Sequence, residues 1–339
     1  MSCVVEPPRV LVAGGSGYAG ALAARLIDRH PGFALGAVTS RSDVGRPLSE
    51  LYPHHRVRAV LEELDLDVHG AVDAAIVAYP HGASAPVVEG LRERGVRVVD
   101  LSADFRLLDR DVYERWYGPH GAPELFGCGT YGLPELYADQ IAAADLVANP
   151  GCYPTATLLA LAPLAATGTV VDVVVDAKSG VSGAGRAPST KTHFVSMTEN
   201  VVPYGVGAHR HMPEIDQELA VLGAPVTTTF TAHLMPLDQG ELVSCYVTTS
   251  EPWTQKHVDA AYHGWARDMP FVDIVQTPPG VRDVRDTNVC AIHVRADERT
   301  GKVLVFAAID NLWKGAASQA IQNLNLMYGL PETTGIEAW

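Results

Sequence analysis

Three observations predict an α/β fold, with a doubly wound, Rossmann-type parallel sheet followed by an α+β domain. The chain opens in the order strand, glycine turn, helix, strand; the same order returns near residue 74; and the texture turns β-rich after residue 150. The apolar run Arg9–Ala13 reads as a first strand. An apolar periodic stretch to about Arg29 reads as a helix that His30-Pro31-Gly32 stops, and residues 33–39 read as the next strand. A second apolar run from Ala74 to Ala78 leads into the turn Tyr79-Pro80-His81-Gly82, a helical stretch through Arg94 and a strand over 96–101. After Asn149-Pro150-Gly151, the pattern predicts a helix over 154–166, strands over 170–177, 226–233, 242–249 and 302–309, and a last helix over 315–328. Residues 180–207 are rich in turns and too long for a simple connection, so they are expected to form a binding loop or lid.

The 339 residues carry a formal net charge of -14, which excludes the broad basic surface that a nucleic-acid or anionic-membrane binder needs. An anionic ligand must then be caught by a local site. The N-terminus lacks the basic start and long apolar region of a secretory signal, and no stretch approaches the roughly 18 apolar residues of a membrane span. A soluble cytoplasmic enzyme is expected. Cysteines at 3, 128, 152, 245 and 290 are odd in number and scattered, which suggests neither a disulfide framework nor a metal site.

Gly14-Gly15-Ser16-Gly17-Tyr18-Ala19-Gly20 places G-x-G-x-x-G between a predicted strand and a predicted helix. Glycines permit the tight turn and close approach of the backbone, and free N–H groups at the helix start attract a pyrophosphate. At the end of the second strand, where an NAD enzyme carries Asp or Glu for the ribose hydroxyls, this chain has Thr39-Ser40-Arg41-Ser42. Hydroxyls and a guanidinium suit a 2'-phosphate, so Ser40 and Arg41 point to NADP(H).

Cys152 stands in Asn149-Pro150-Gly151-Cys152-Tyr153-Pro154, directly before the apolar helix. There the helix dipole and backbone amides favour a reactive thiolate and can stabilise an oxyanion beside it. The other four cysteines lack this setting. A thiolate relay needs a proton carrier, and His209-Arg210-His211-Met212-Pro213-Glu214 offers two imidazoles at a helix entrance. Spacing leaves His209 and His211 as equal candidates.

These residues resemble the N-acetyl-gamma-glutamyl-phosphate reductase family, the arginine-pathway relatives of aspartate-semialdehyde dehydrogenase. The resemblance runs through GGSGYAG at 14–20, AYPHG at 78–82, DLSADFR at 100–106, YGLPEL at 131–136, NPGCYPTA at 149–156, GVSGAGR at 180–186, HRHMPEI at 209–215 and DNLWKGAA at 310–317. It implies that Cys152 is the acylated nucleophile and His211 the acid/base residue. It implies phosphate or substrate contacts from Arg106, Asn149, His209 and Arg210. Ser182 and Gly183 look like nicotinamide contacts, and Asn311 and Lys314 look like the return of the chain to the cofactor side. The dinucleotide domain would then be discontinuous, 1–148 with 311–339, around a catalytic and dimerisation domain at 149–310, in a homo-oligomer, dimer or tetramer.

The reaction so implied is NADPH-dependent reduction of N-acetyl-L-glutamyl 5-phosphate to N-acetyl-L-glutamate 5-semialdehyde and phosphate through a cysteine thioester. An alternative is a reductase of a carrier-protein-linked amino-adipyl or glutamyl phosphate, although the chain shows no basic run for an acidic carrier. A non-catalytic NADP-binding redox sensor would need only the glycine loop and the cysteine.

Overall fold

The computed structural model describes residues 6–337, which leaves Cys3 outside the described residues. They form two compact units, one running to Pro150 and resuming over Ala316–Glu337, the other Gly151–Gly315.

The first unit carries strands β1 (Arg9–Ala13), β2 (Ala34–Thr39), β3 (Leu61–Glu62), β4 (Ala74–Val77), β5 (Arg97–Asp100), β6 (Thr130–Tyr131) and β7 (Leu146–Ala148). Its helices are α1 (Tyr18–Asp28), α2 (Ala85–Glu93), α3 (Arg110–Tyr117) and α4 (Pro134–Ala142), single turns aside. All seven strands are parallel, in the order β3-β2-β1-β4-β5-β7-β6. Val10 to Ala13 and Ala74 to Val77 are wholly buried, as expected for strands covered on both faces. The order reverses between β1 and β4, so the glycine turn after β1 sits at the switch point, where such sheets bind ligands.

The second unit begins with α5 (Cys152–Ala165), in which every residue from Tyr153 to Ala165 is buried. A helix apolar all round can only be a core helix. It packs on a mixed sheet in the order β12-β13-β14-β11-β8-β10-β9. The strands are β8 (Val170–Ser179), β9 (Val202–Tyr204), β10 (Thr229–Leu234), β11 (Glu241–Thr249), β12 (Val272–Ile274), β13 (Cys290–Asp297) and β14 (Lys302–Ile309). Helices α6 (Met212–Val221) and α7 (Gln255–Trp265) pack against α5.

The chain then passes through a π-helical turn, Trp313–Ala317, into α8 (Ser318–Met327). That turn replaces the first residues of the helix predicted from 315. Helix α8 is buried nearly all round, polar residues included: Asn323 Nδ2 donates to the Gly132 carbonyl at 2.9 Å and to Asn149 Oδ1 at 3.0 Å. The loop expected over 180–207 holds a short 3-10 turn, Val181–Ala184, and β9, which pairs antiparallel with β10. Pro203 is tolerated there because β9 is the sheet edge.

Candidate active site

Helix α5 starts two residues earlier than predicted, which makes Cys152 its first residue and Gly151 its N-cap, at φ -68° and ψ 158°. The Gly151 N–H donates to Glu214 Oε1 at 2.9 Å, and its carbonyl accepts from Thr155 N–H at 2.9 Å. A carboxylate in the first turn of α6 thus braces the start of α5. Cys152 is half-buried; Cys245 and Cys290 are buried, and Cys128 is exposed.

His211 occupies the N-cap position of α6. A Cβ added at Gly151 would lie 2.5 Å from His211 Nε2 and 2.7 Å from Cε1, so the imidazole rests directly on the residue preceding Cys152. Only glycine leaves it that room. His209 differs: its Nδ1 accepts the His211 N–H at 3.2 Å, and its ring meets Tyr153, Tyr204 and Phe230 at centroid distances of 5.4, 5.4 and 5.1 Å. Burial first, then the Arg210 charge, push the His209 pKa down to about 4, which keeps that ring neutral. The structure brings Cys152, His209 and His211 to one end of the second unit, while Arg210 is exposed.

Two acids that sequence reasoning left unassigned belong to this place. Glu214 is 1% exposed and Glu241 fully buried. A signal for Glu241 was present: it shares strand parity with buried Val243, Cys245 and Val247, where an apolar residue is expected. The Tyr153 and Tyr204 hydroxyls meet at 2.9 Å, and burial pushes both far above the ordinary tyrosine range. Asn311 joins the other side of the unit: its Nδ2 donates to Ser182 Oγ at 3.0 Å and its Oδ1 accepts from Gly240 N–H at 2.7 Å. Lys314 is fully buried, its Nζ 5.9 Å from the Phe271 ring centroid.

In the first unit, Gly14 has φ +93°, and a Cβ there would lie 2.5 Å from the Ala78 carbonyl oxygen; one at Gly20 would strike the Gly14 carbonyl. The turn is therefore closed to side chains, and the N–H groups of Gly14 and Gly15 both donate to the Thr39 carbonyl at 2.9 Å. Beside it, Ser40 Oγ donates to Ser16 Oγ at 2.7 Å and accepts from Ser42 N–H at 3.1 Å. Arg41 lies over the Tyr79 ring at 5.0 Å. The nearest acid along this loop, Asp43, is paired with Arg46 at 3.0 Å and accepts from the Ser42 hydroxyl at 3.2 Å. The cradle fits a pyrophosphate, and the hydroxyl cluster with Arg41 fits an added phosphate.

Arg106 is buried, and its Nε and Nη2 donate to the carbonyls of Asn149 at 2.8 Å and Leu101 at 2.7 Å. Asp104 accepts from the N–H groups of Gly82 and Ala85 and from the Tyr113 hydroxyl, while Asp109 caps α3. The motif blocks at 78–82 and 100–106 are thereby fastened to each other.

Residues 9–144 match a family model described as semialdehyde dehydrogenase, NAD binding domain, and residues 152–311 match one described as semialdehyde dehydrogenase, dimerisation domain. An N-acetyl-gamma-glutamyl-phosphate reductase of Desulforudis audaxviator is 47% identical, with 97% of each chain covered. One of Dehalococcoides mccartyi is 45% identical, with 95% of each chain covered. Among solved structures, aspartate semialdehyde dehydrogenase II of Vibrio cholerae, complexed with ASA, has a TM-score of 0.74 at 18% identity, covering 96% of this chain and 99% of that one. The Candida albicans aspartate semialdehyde dehydrogenase with NADP has a TM-score of 0.66 at 14% identity, covering 95% and 99%. These two likenesses show the fold.

Proposed function

The chain belongs to the N-acetyl-gamma-glutamyl-phosphate reductase family, and we propose that it carries out the reaction of that name within arginine biosynthesis. Its substrate is N-acetyl-L-glutamyl 5-phosphate and its products are N-acetyl-L-glutamate 5-semialdehyde and phosphate. The observation that carries the reading is the junction of α5 and α6, where the first residue of a buried helix is a cysteine and the imidazole of His211 rests on the glycine before it.

In this reading Cys152 Sγ attacks the acyl carbon, the C–O bond to phosphate breaks, and a thioester remains on the sulfur. His211 takes the thiol proton as the S–C bond forms and returns a proton to the sulfur when the product leaves. The backbone N–H groups at the start of α5 stabilise the negative charge that develops on the acyl oxygen. Glu214 keeps that helix start and the His211 segment in register through the Gly151 N–H. When bound, the nicotinamide supplies the hydride that reduces the thioester.

The glycine turn holds the dinucleotide, and Ser40 and Arg41 make NADP(H) the preferred form. Ser182, held by Asn311, is proposed to position the nicotinamide, and Arg106 to receive phosphate. The description of the second family model as a dimerisation domain supports a homo-oligomer. Among the described residues, no helix is long and apolar enough to cross a membrane.

The reverse assay avoids the unstable acyl phosphate: phosphate-dependent reduction of NADP with N-acetylglutamate semialdehyde set against aspartate semialdehyde. Clear preference for the acetylated compound is expected. Preference for the aspartate compound overturns the substrate assignment.

A further inference from the structure

Glu241 occupies a place where strand parity calls for a hydrocarbon. It opens β11 on the face shared by Val243, Cys245 and Val247, and that face packs against α5. Its backbone is held on both sides, by Ser179 of β8 and Ile309 of β14. The preceding Gly240, at φ +112°, is fixed by Asn311 Oδ1 on its N–H and by Gly180 N–H on its carbonyl. The side chain is fully buried, and neither carboxyl oxygen meets a partner in strict hydrogen-bond geometry. A buried carboxyl left in that state is costly, so a position that keeps one invites a functional reason.

Cys152 lies on the same side of the sheet: a Cβ added at Gly315 would lie 2.8 Å from Cys152 Cβ and 3.3 Å from Cδ1 of Ile309, the residue opposite Glu241 in β14, and the thiol eases the ionisation of the acid against its burial. Tyr153 from α5 and Tyr204 from β9 also feel its charge, and both hydroxyls remain protonated. Its strand neighbours Ser179 and Ile309 carry no charge.

We propose that Glu241 is a positioning residue for Cys152, its neutral carboxyl donating a hydrogen bond to the sulfur when the thiol ionises and so holding the nucleophile in its attacking form. As the thiol loses its proton to the base, the Glu241 O–H turns toward the new charge; no proton leaves the acid and no further reactant enters. Burial pushes the Glu241 pKa up to about 8, so the acid is the resting form at neutral pH. Above that range the carboxylate withdraws its donor and places a like charge beside the sulfur. Ionised Glu241 thereby lowers the reactivity of the thiol as the pH rises past that range.

This inference rests on Cys152 being the nucleophile but not on which acyl group it carries. Iodoacetamide alkylation of Cys152, followed from pH 6 to 10 by mass spectrometry in the intact enzyme, therefore tests it even if the substrate assignment fails. Glu241→Gln keeps an N–H donor and removes the ionisation: its rate at pH 7 is expected within about threefold of wild type, without the inflection near pH 8. Glu241→Leu removes the donor and fills the apolar position: its rate at pH 7 is expected to fall about tenfold or more, with an unchanged or higher melting temperature. Superposable pH profiles for wild type and Glu241→Gln overturn the proposal even if the leucine variant fails to fold. So does a folded Glu241→Leu that alkylates at the wild-type rate.

Discussion

Replacing Gly151 by alanine separates the chemistry of the site from the stability of the fold. The backbone there, at φ -68° and ψ 158°, is open to any residue, so the new Cβ introduces no dihedral strain. An alanine N-cap in place of glycine costs a fraction of a kcal/mol to about 1 kcal/mol. The Cβ itself lands 2.5, 2.7 and 2.9 Å from His211 Nε2, Cε1 and Cδ2. Non-bonded heavy atoms settle near about 3.5 Å, so the imidazole must retreat by about 1 Å. A displacement of that size at a catalytic group costs about 10²-fold in turnover, or about 2.7 kcal/mol of barrier. Steady-state turnover in the reverse direction, with a thermal melt of the same preparation, measures both quantities. A Gly151→Ala enzyme that melts close to wild type and turns over within about threefold of it would refute the placement of His211 as the proton carrier.

Cys152→Ser should lose at least about 10³-fold in turnover while still binding NADPH, because an alcohol there is a far weaker nucleophile than a thiol; fluorescence titration of the cofactor provides the control. Arg41→Ala should raise KM for NADPH about tenfold and leave KM for NADH nearly unchanged, since one charge-assisted contact is lost only with the phosphorylated form; equal effects on both would remove Arg41 from the phosphate site. His55, buried against Tyr52, has its pKa lowered to about 4, first by burial and then by the charges of His54 and Arg25. Its folded pKa lies below the unfolded value, so its contribution is complete above about pH 6.5 and is lost as the pH falls toward 4. The whole span amounts to at most about 3 kcal/mol. His55→Gln should therefore flatten the fall of melting temperature between those pH values, and an unchanged slope would show that another group sets it.

Local rules were enough for much of this protein. The strand Arg9–Ala13 and the turn from Gly14 to Gly20 are readable because apolar runs and glycine spacing act over a few residues, and the turn stands where it was expected. Cys152 was recognisable in the same way, as a thiol at the start of a helix with no polar face. Strand β9 was hidden inside a turn-rich stretch because three residues with a proline carry too little pattern, and it exists only because β10 offers an edge. The choice between His209 and His211 was equally closed to spacing. It depends on where the fold brings each ring: one against Tyr153, Tyr204 and Phe230, the other onto Gly151. The resemblance favoured His211, and the fold rests that ring on Gly151.

Glu241 marks the boundary most clearly. Composition counts it as one of 39 acidic residues, indistinguishable from those on the surface. Parity along β11 turns it inward, and α5 packs on that strand. Sequence by itself determined the segments with a strong local pattern, such as β1, the glycine turn and the apolar run of α5, because backbone preference and burial period are properties of neighbours in the chain. Only the tertiary structure decided which acid and which imidazole meet at the start of α5, because desolvation and contact arise between segments far apart in sequence once the core has closed around them.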